Sequence, residues 1–157
     1  MRISLNIILI LSSVLLLPKN SFSQIKLFQF EQIDSLMKVE KRKIVVFIYT
    51  DWCKYCATMK NTTFKNDSIN EFLSKLFYFI DLNAEEKRDI NFNKHTFKYK
   101  PTGVSTGINE LAEQLGTVDG KISYPTLCFL NSEYEIIFQY NQYINSTQLL
   151  GILARLK

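Results

Sequence analysis

Two cysteines, Cys53 and Cys56, stand three residues apart where the apolar run Ile44 to Tyr49 gives way to a stretch of helical character. The run is β-branched and aromatic and reads as a buried strand ending near Thr50. The stretch through Cys56, Ala57 and Met59-Lys60 reads as a helix reaching about Thr62. A thiol at the start of a helix meets free backbone N–H groups and the positive end of the helix dipole, which favour thiolate over thiol. Cys53 is therefore the candidate nucleophile. Cys56, one turn further on, is close enough to bond to it. The chemistry this pattern supports is thiol–disulfide exchange.

Two blander readings compete with it. Structural zinc wants four ligands, and outside the pair the chain offers only Cys128 and the single histidine, His95, in no paired spacing. An inert disulfide staple suits an exported protein, but a three-residue offset closes so short a loop that it constrains the unfolded chain little. The strand-to-helix position favours redox use over either. No metal or organic cofactor is required.

The elements that must hold this pair can be taken in chain order. The first 23 residues read as a secretory signal peptide: Arg2 is the charged start, Ile3 to Leu17 the apolar stretch, Pro18 its break, and Ser21 and Ser23 the small residues before a cut at Gln24. The apolar stretch is shorter than the roughly 20 residues of a membrane span, so a membrane-anchored form is the minority reading. Removing Arg2 and Lys19 lowers the formal net charge from +4 to +2. That is too little to argue for nucleic acid or a membrane surface. Residues 24–157 are enough for one domain, exported to the periplasm or beyond and read as a monomer.

Gln24 to Phe28 reads as a short strand or an extended lead-in. Phe30 to Lys43 carries a helical stripe with a basic end at Lys41-Arg42-Lys43. Asn66-Asp67-Ser68 signals a helix start, with Ile69, Phe72, Leu73 and Leu76 at helical spacing, and Phe77 to Leu82 is a second buried strand. Residues 84–116 are the least regular. They suggest a hairpin around Asn93-Lys94, loop at Pro101, Gly103 and Gly107, and a short helix from Ile108 to Gly116. Val118 to Lys121 is a turn, Leu127 to Leu130 a strand, and Tyr134 to Tyr140 its antiparallel partner. Asn145-Ser146 caps a final helix. His95 falls in the hairpin and is read as uninvolved, and Cys128 as buried filler.

Strand, helix, strand, connecting region, hairpin and closing helix, with Trp52-Cys53-Lys54-Tyr55-Cys56 and Tyr124-Pro125-Thr126 in that order, resemble the thioredoxin-like superfamily. The resemblance covers Ile25 to Leu156 and lies closest to exported bacterial members. It implies an α/β thioredoxin-like fold: a central mixed sheet of four to five strands with helices on both faces, and residues 84–116 as a hairpin/helix insertion. It makes Cys53 the attacking cysteine, Cys56 the resolving one and Pro125 the cis-proline, a bond isomer that X-Pro tolerates far better than other peptides. Trp52 would pack beside the site. The Tyr124 backbone would be free to pair with an extended substrate. Implied partners are protein disulfides or dithiols and a redox protein that recharges the pair.

Two departures from the family pattern matter. Lys54-Tyr55 replaces the Gly-Pro common between the cysteines, and Lys54 adds positive charge near the thiolate, moving the couple toward the oxidising side. Family members often bury an acid in the strand before the motif; here Phe47 holds that position, leaving the proton of Cys56 to water. The expected function is an exported disulfide reductase. An oxidase or isomerase, or a binding or chaperone module with a structural disulfide, are the alternatives.

Overall fold

The computed structural model describes residues 25–157; the segment read as a signal peptide lies outside the described residues. Strand β1 (Lys43–Tyr49) is apolar at every interior position because it is covered on both sides. Its even-numbered residues, Ile44, Val46 and Ile48, face one buried cluster, and Val45 and Phe47 face the other. Strand β2 (Phe77–Asn83) runs parallel to it, with Phe47 opposite Asp81. On its other side β9 (Thr126–Leu130) runs antiparallel, and β10 (Ile136–Tyr140) completes a four-stranded mixed sheet in the order β10-β9-β1-β2.

Among the described residues, five α-helices cover this sheet. Helix α1 (Phe30–Val39) and α4 (Glu110–Gly116) pack through Phe30, Ile33, Leu111 and Leu115 on the even face. Helix α2 (Lys54–Asn61), α3 (Asp67–Leu76) and α5 (Ser146–Leu156) pack through Met59, Ile69, Leu73, Leu149 and Leu153 on the other. The signalled helix starts hold: the side chains of Asn66 and Asn145 accept the Ile69 and Gln148 N–H groups at 3.2 and 3.0 Å. The result is the thioredoxin-like architecture that the resemblance implied.

Several expectations are corrected. Helix α1 stops at Val39, not Lys43. The Tyr78 hydroxyl donates to the Glu40 carbonyl at 2.8 Å, and Arg42 reaches the Ser74 carbonyl and the Glu40 carboxylate, so the basic run is a tied-down link and Lys43 already belongs to β1. Of the two readings of the lead-in, the extended segment is the one that holds, with a single parallel bridge, Leu27 to Phe79. Between β2 and α4 lie two hairpins where one was expected: β3 (Ile90–Phe92) with β4 (His95–Phe97), and β5 (Tyr99–Pro101) with β6 (Gly107–Asn109). Ile108 therefore sits in a strand, and α4 begins at Glu110, capped by the Asn109 side chain. A last small hairpin, β7 (Thr117–Val118) and β8 (Lys121–Ile122), turns at Asp119 and Gly120, both with positive φ.

Candidate active site

Strand β1 ends and α2 begins within five residues, and Cys53 caps the helix. Its Sγ accepts the Cys56 N–H at 3.1 Å, its carbonyl accepts the Ala57 N–H, and its own N–H donates to the Thr50 carbonyl at 3.2 Å. One of the free N-terminal donors of the helix, that of Cys56, thus already points at sulfur. Cys53 and Cys56 are joined in a disulfide, with an S–S distance of 2.02 Å and Cα atoms 5.2 Å apart. Cys56 is 1% exposed and Cys53 6%, so Cys53 is the slightly more open of the two.

An aromatic rim surrounds the pair. Trp52 is 66% exposed, meets Tyr124 edge-on at 5.8 Å, and donates its indole N–H to Glu85 at 3.2 Å. Tyr55, equally exposed, stacks obliquely with Tyr143 at 6.1 Å. Lys54 is exposed on the first turn of α2. Strand pairing explains why Tyr124 reaches this rim. Ile48 lies opposite Thr126, so the residues just before β9 sit beside the end of β1. Pro125 is buried and the Tyr124–Pro125 peptide bond is cis. Thr126 donates to the Ser123 carbonyl at 2.8 Å, and Ser123 to the Asn141 carbonyl at 3.2 Å, tying this loop to the segment that carries Tyr143. Burial, and after it the Glu85 carboxylate, pushes the Tyr124 hydroxyl up to about 12.

The structure thus gathers Trp52, Cys53, Lys54, Tyr55, Cys56, Tyr124 and Pro125 in one place. It leaves out His95, which is exposed in β4 with its ring 4.6 Å from Phe97. It also leaves out Cys128, which is fully buried in the cluster on the opposite face of the sheet. Sequence reasoning missed Tyr143 and Glu85; nothing in the segment Asn141 to Ile144 or in the run after Asn83 marks them. It also passed over Lys60 and Asp81, whose ion pair at 3.8 Å lies behind α2. A carboxylate inside the apolar strand Phe77 to Leu82 was the available signal. Among the described residues no group of three or more His, Cys, Asp or Glu side chains could hold a metal ion.

A bonded Cys-x-x-Cys pair at the start of the helix after the central strand, in this fold, is the site of a thiol–disulfide oxidoreductase. Residues 30–157 match the thioredoxin-like domain family, and the chain belongs to it. Among solved structures it is similar to a DsbH oxidoreductase, with TM-score 0.60 and 13% identity over 90% of this chain and 92% of that one. A thioredoxin from Thermus thermophilus gives 0.59 and 14% over 84% and 86%. A disulphide isomerase from Xylella fastidiosa gives 0.51 and 13% over 80% and 85%. At these identities the likeness concerns the fold. No curated protein matches the sequence significantly.

Proposed function

We propose that the chain is an exported disulfide reductase that acts on protein substrates through Cys53 and Cys56. The observation that carries the reading is the Cys53–Cys56 disulfide at the start of α2 inside a rim of exposed aromatic side chains. In the reduced state the Cys53 thiolate attacks one sulfur of a substrate disulfide, whose other sulfur leaves and takes a proton. Cys56 loses its proton, attacks Cys53 Sγ and displaces the second substrate sulfur. The product is a reduced substrate and a Cys53–Cys56 disulfide, which a partner dithiol must reduce again.

Direction follows from how strongly the Cys53 thiolate is stabilised, because a stable thiolate makes an oxidising couple. One backbone N–H, from Cys56, points at its sulfur. The adjacent ammonium, Lys54, stands in solvent, where its charge is screened. That modest stabilisation supports the reducing end. Trp52 and Tyr124 would form one wall of the substrate groove, Tyr55 the other, and Pro125 would present the Tyr124 backbone to an extended chain. Residues 24–157 form the working domain, with the two hairpins and helix of 84–116 as an insertion beside it. Export is supported by the composition of residues 1–23, and among the described residues no helix is long and apolar enough to cross a membrane.

Equilibration with glutathione, followed by Trp52 fluorescence, tests the proposal. A potential near roughly −270 mV supports a reductase, whereas roughly −120 to −180 mV would point to oxidase or isomerase work. A pair that no ordinary reductant opens would favour the binding-module reading.

A further inference from the structure

Lys60 lies one turn after Cys56 on α2, half-buried on the helix that also carries the buried Cys56 and Met59. Its ammonium is not in open water. Nζ stands 3.1 Å from the centre of the Tyr49 ring, 6.0 Å from the centre of the Phe47 ring and 3.8 Å from the Asp81 carboxylate. Long side chains on a helix lean back toward its N-terminus. Lys60 accordingly comes to rest against the end of β1, four residues before Cys53. Phe47 and Cys56 belong to one buried cluster. Asp81 is opposite Phe47 in the β1–β2 register. A cleft of about 400 Å³, lined by Phe47, Lys60, Lys65, Asp67 and Asp81, opens Lys60 and Asp81 to solvent.

The strand thus offers no charge to Cys56, but the helix that carries Cys56 does. We propose that Lys60, held by Asp81 and the face of Tyr49, is the positioning cation for the resolving step, stabilising the Cys56 thiolate while the thiol proton leaves to solvent. The inference rests on the oxidoreductase reading. The step balances without a further reagent: the Cys56 S–H proton passes to water, and the thiolate forms the Cys56–Cys53 bond. The bond from Cys53 to substrate breaks, and the departing sulfur is protonated by solvent.

The groups facing Lys60 fit this role. Asp81 approaches from β2 and Asp51 from the turn after β1, and both oppose the effect of burial, which depresses the ammonium from its ordinary value. Lys65 and Asp67 face it across the cleft with opposite charges. Tyr49 is held neutral, its hydroxyl pushed upward by burial first and then by Asp81, Asp51 and Glu86. A cation with restricted access to water acts on a neighbouring thiol more strongly than a solvated one.

The test is an NMR titration of the Cys56 Cβ in the full-length reduced protein, comparing wild type, Lys60→Met and Lys60→Arg. Loss of the charge should raise the Cys56 midpoint by about one unit, while Lys60→Arg keeps it. Below that midpoint, release of a mixed disulfide should slow about tenfold in Lys60→Met only. An unchanged midpoint in Lys60→Met, or the same rise in both variants, overturns the proposal, the second because it would mark a packing effect. If Lys60→Met loses its circular dichroism signature, Lys60→Gln is judged by the same criterion. A shifted midpoint in a protein that turns over no disulfide would refute the oxidoreductase reading and leave the effect of Lys60 on Cys56 standing. Intact turnover with an unmoved midpoint would refute only the role of Lys60.

Discussion

Cys53 and Cys56 differ in burial, and that difference fits the division of work proposed for them. On the proposed mechanism the outer sulfur attacks and the inner one resolves, so their removal should have different consequences. Cys53→Ser should abolish disulfide exchange. Cys56→Ser should still attack but not release, and disulfide-linked substrate should accumulate on non-reducing gels. Failure to trap any partner with Cys56→Ser would count against protein substrates. Cys128 contrasts with both, because burial pushes its thiol up to about 12 and leaves almost no thiolate at neutral pH. Iodoacetamide should therefore label the reduced protein at Cys53 readily and at Cys128 only on unfolding, as peptide mapping would show.

Among the elements, α2 and α3 hold the site from behind, and each starts on a side chain that accepts a backbone N–H. Removing the cap on α3 with Asn66→Ala should cost about 1 kcal/mol. The loss should appear in the urea midpoint, with the redox potential unmoved, because Asn66 lies away from the sulfurs along the chain. At this scale much was readable in advance. The β-branched run of β1, the caps at Asn66 and Asn145 and the proline ahead of β9 are local signals, and each element they announced is present. What was not readable depended on distant partners. Helix α1 ends where Tyr78, on β2, takes the Glu40 carbonyl, and no residue near Glu40 announces that. The β5–β6 hairpin is three residues a side and includes Pro101, so period-2 alternation had no length over which to show. Tyr143 joined the site only because the loop before α5 folds back beside α2.

The whole molecule is a sheet with two separate apolar faces, and its response to alkali follows from what those faces bury. Cys128, Tyr124 and Tyr134 are each pushed up to about 12, from ordinary values of 9.0 for the thiol and 10.0 for the phenols. For all three the main cause is burial. Tyr134 is also held by donating its hydroxyl hydrogen to Asp34 at 2.7 Å. A raised value in the folded state means that the unfolded chain ionises first, so the folded chain holds more protons once the pH exceeds the ordinary value. This contribution to stability is complete below pH 9.0 and is lost as the pH climbs toward 12. Urea midpoints should carry no loss from these groups between pH 7 and 9 and a growing one above. The decline should be shallower in Tyr134→Phe, measured relative to its own value at pH 8.

The sheet also sorts the cysteines. Three thiols permit three different pairings, yet Cys53 and Cys56 lie on one side of β1 and β9 while Cys128 lies on the other. Once these strands have paired, a wall of hydrogen-bonded backbone stands between them, and two of the three pairings are closed off. Mispairing therefore belongs to the interval before the sheet assembles. A chain oxidised after it has folded should yield one product, whereas one oxidised while still extended should yield a mixture. The sheet acts as a proofreader whose accuracy depends on folding before oxidation.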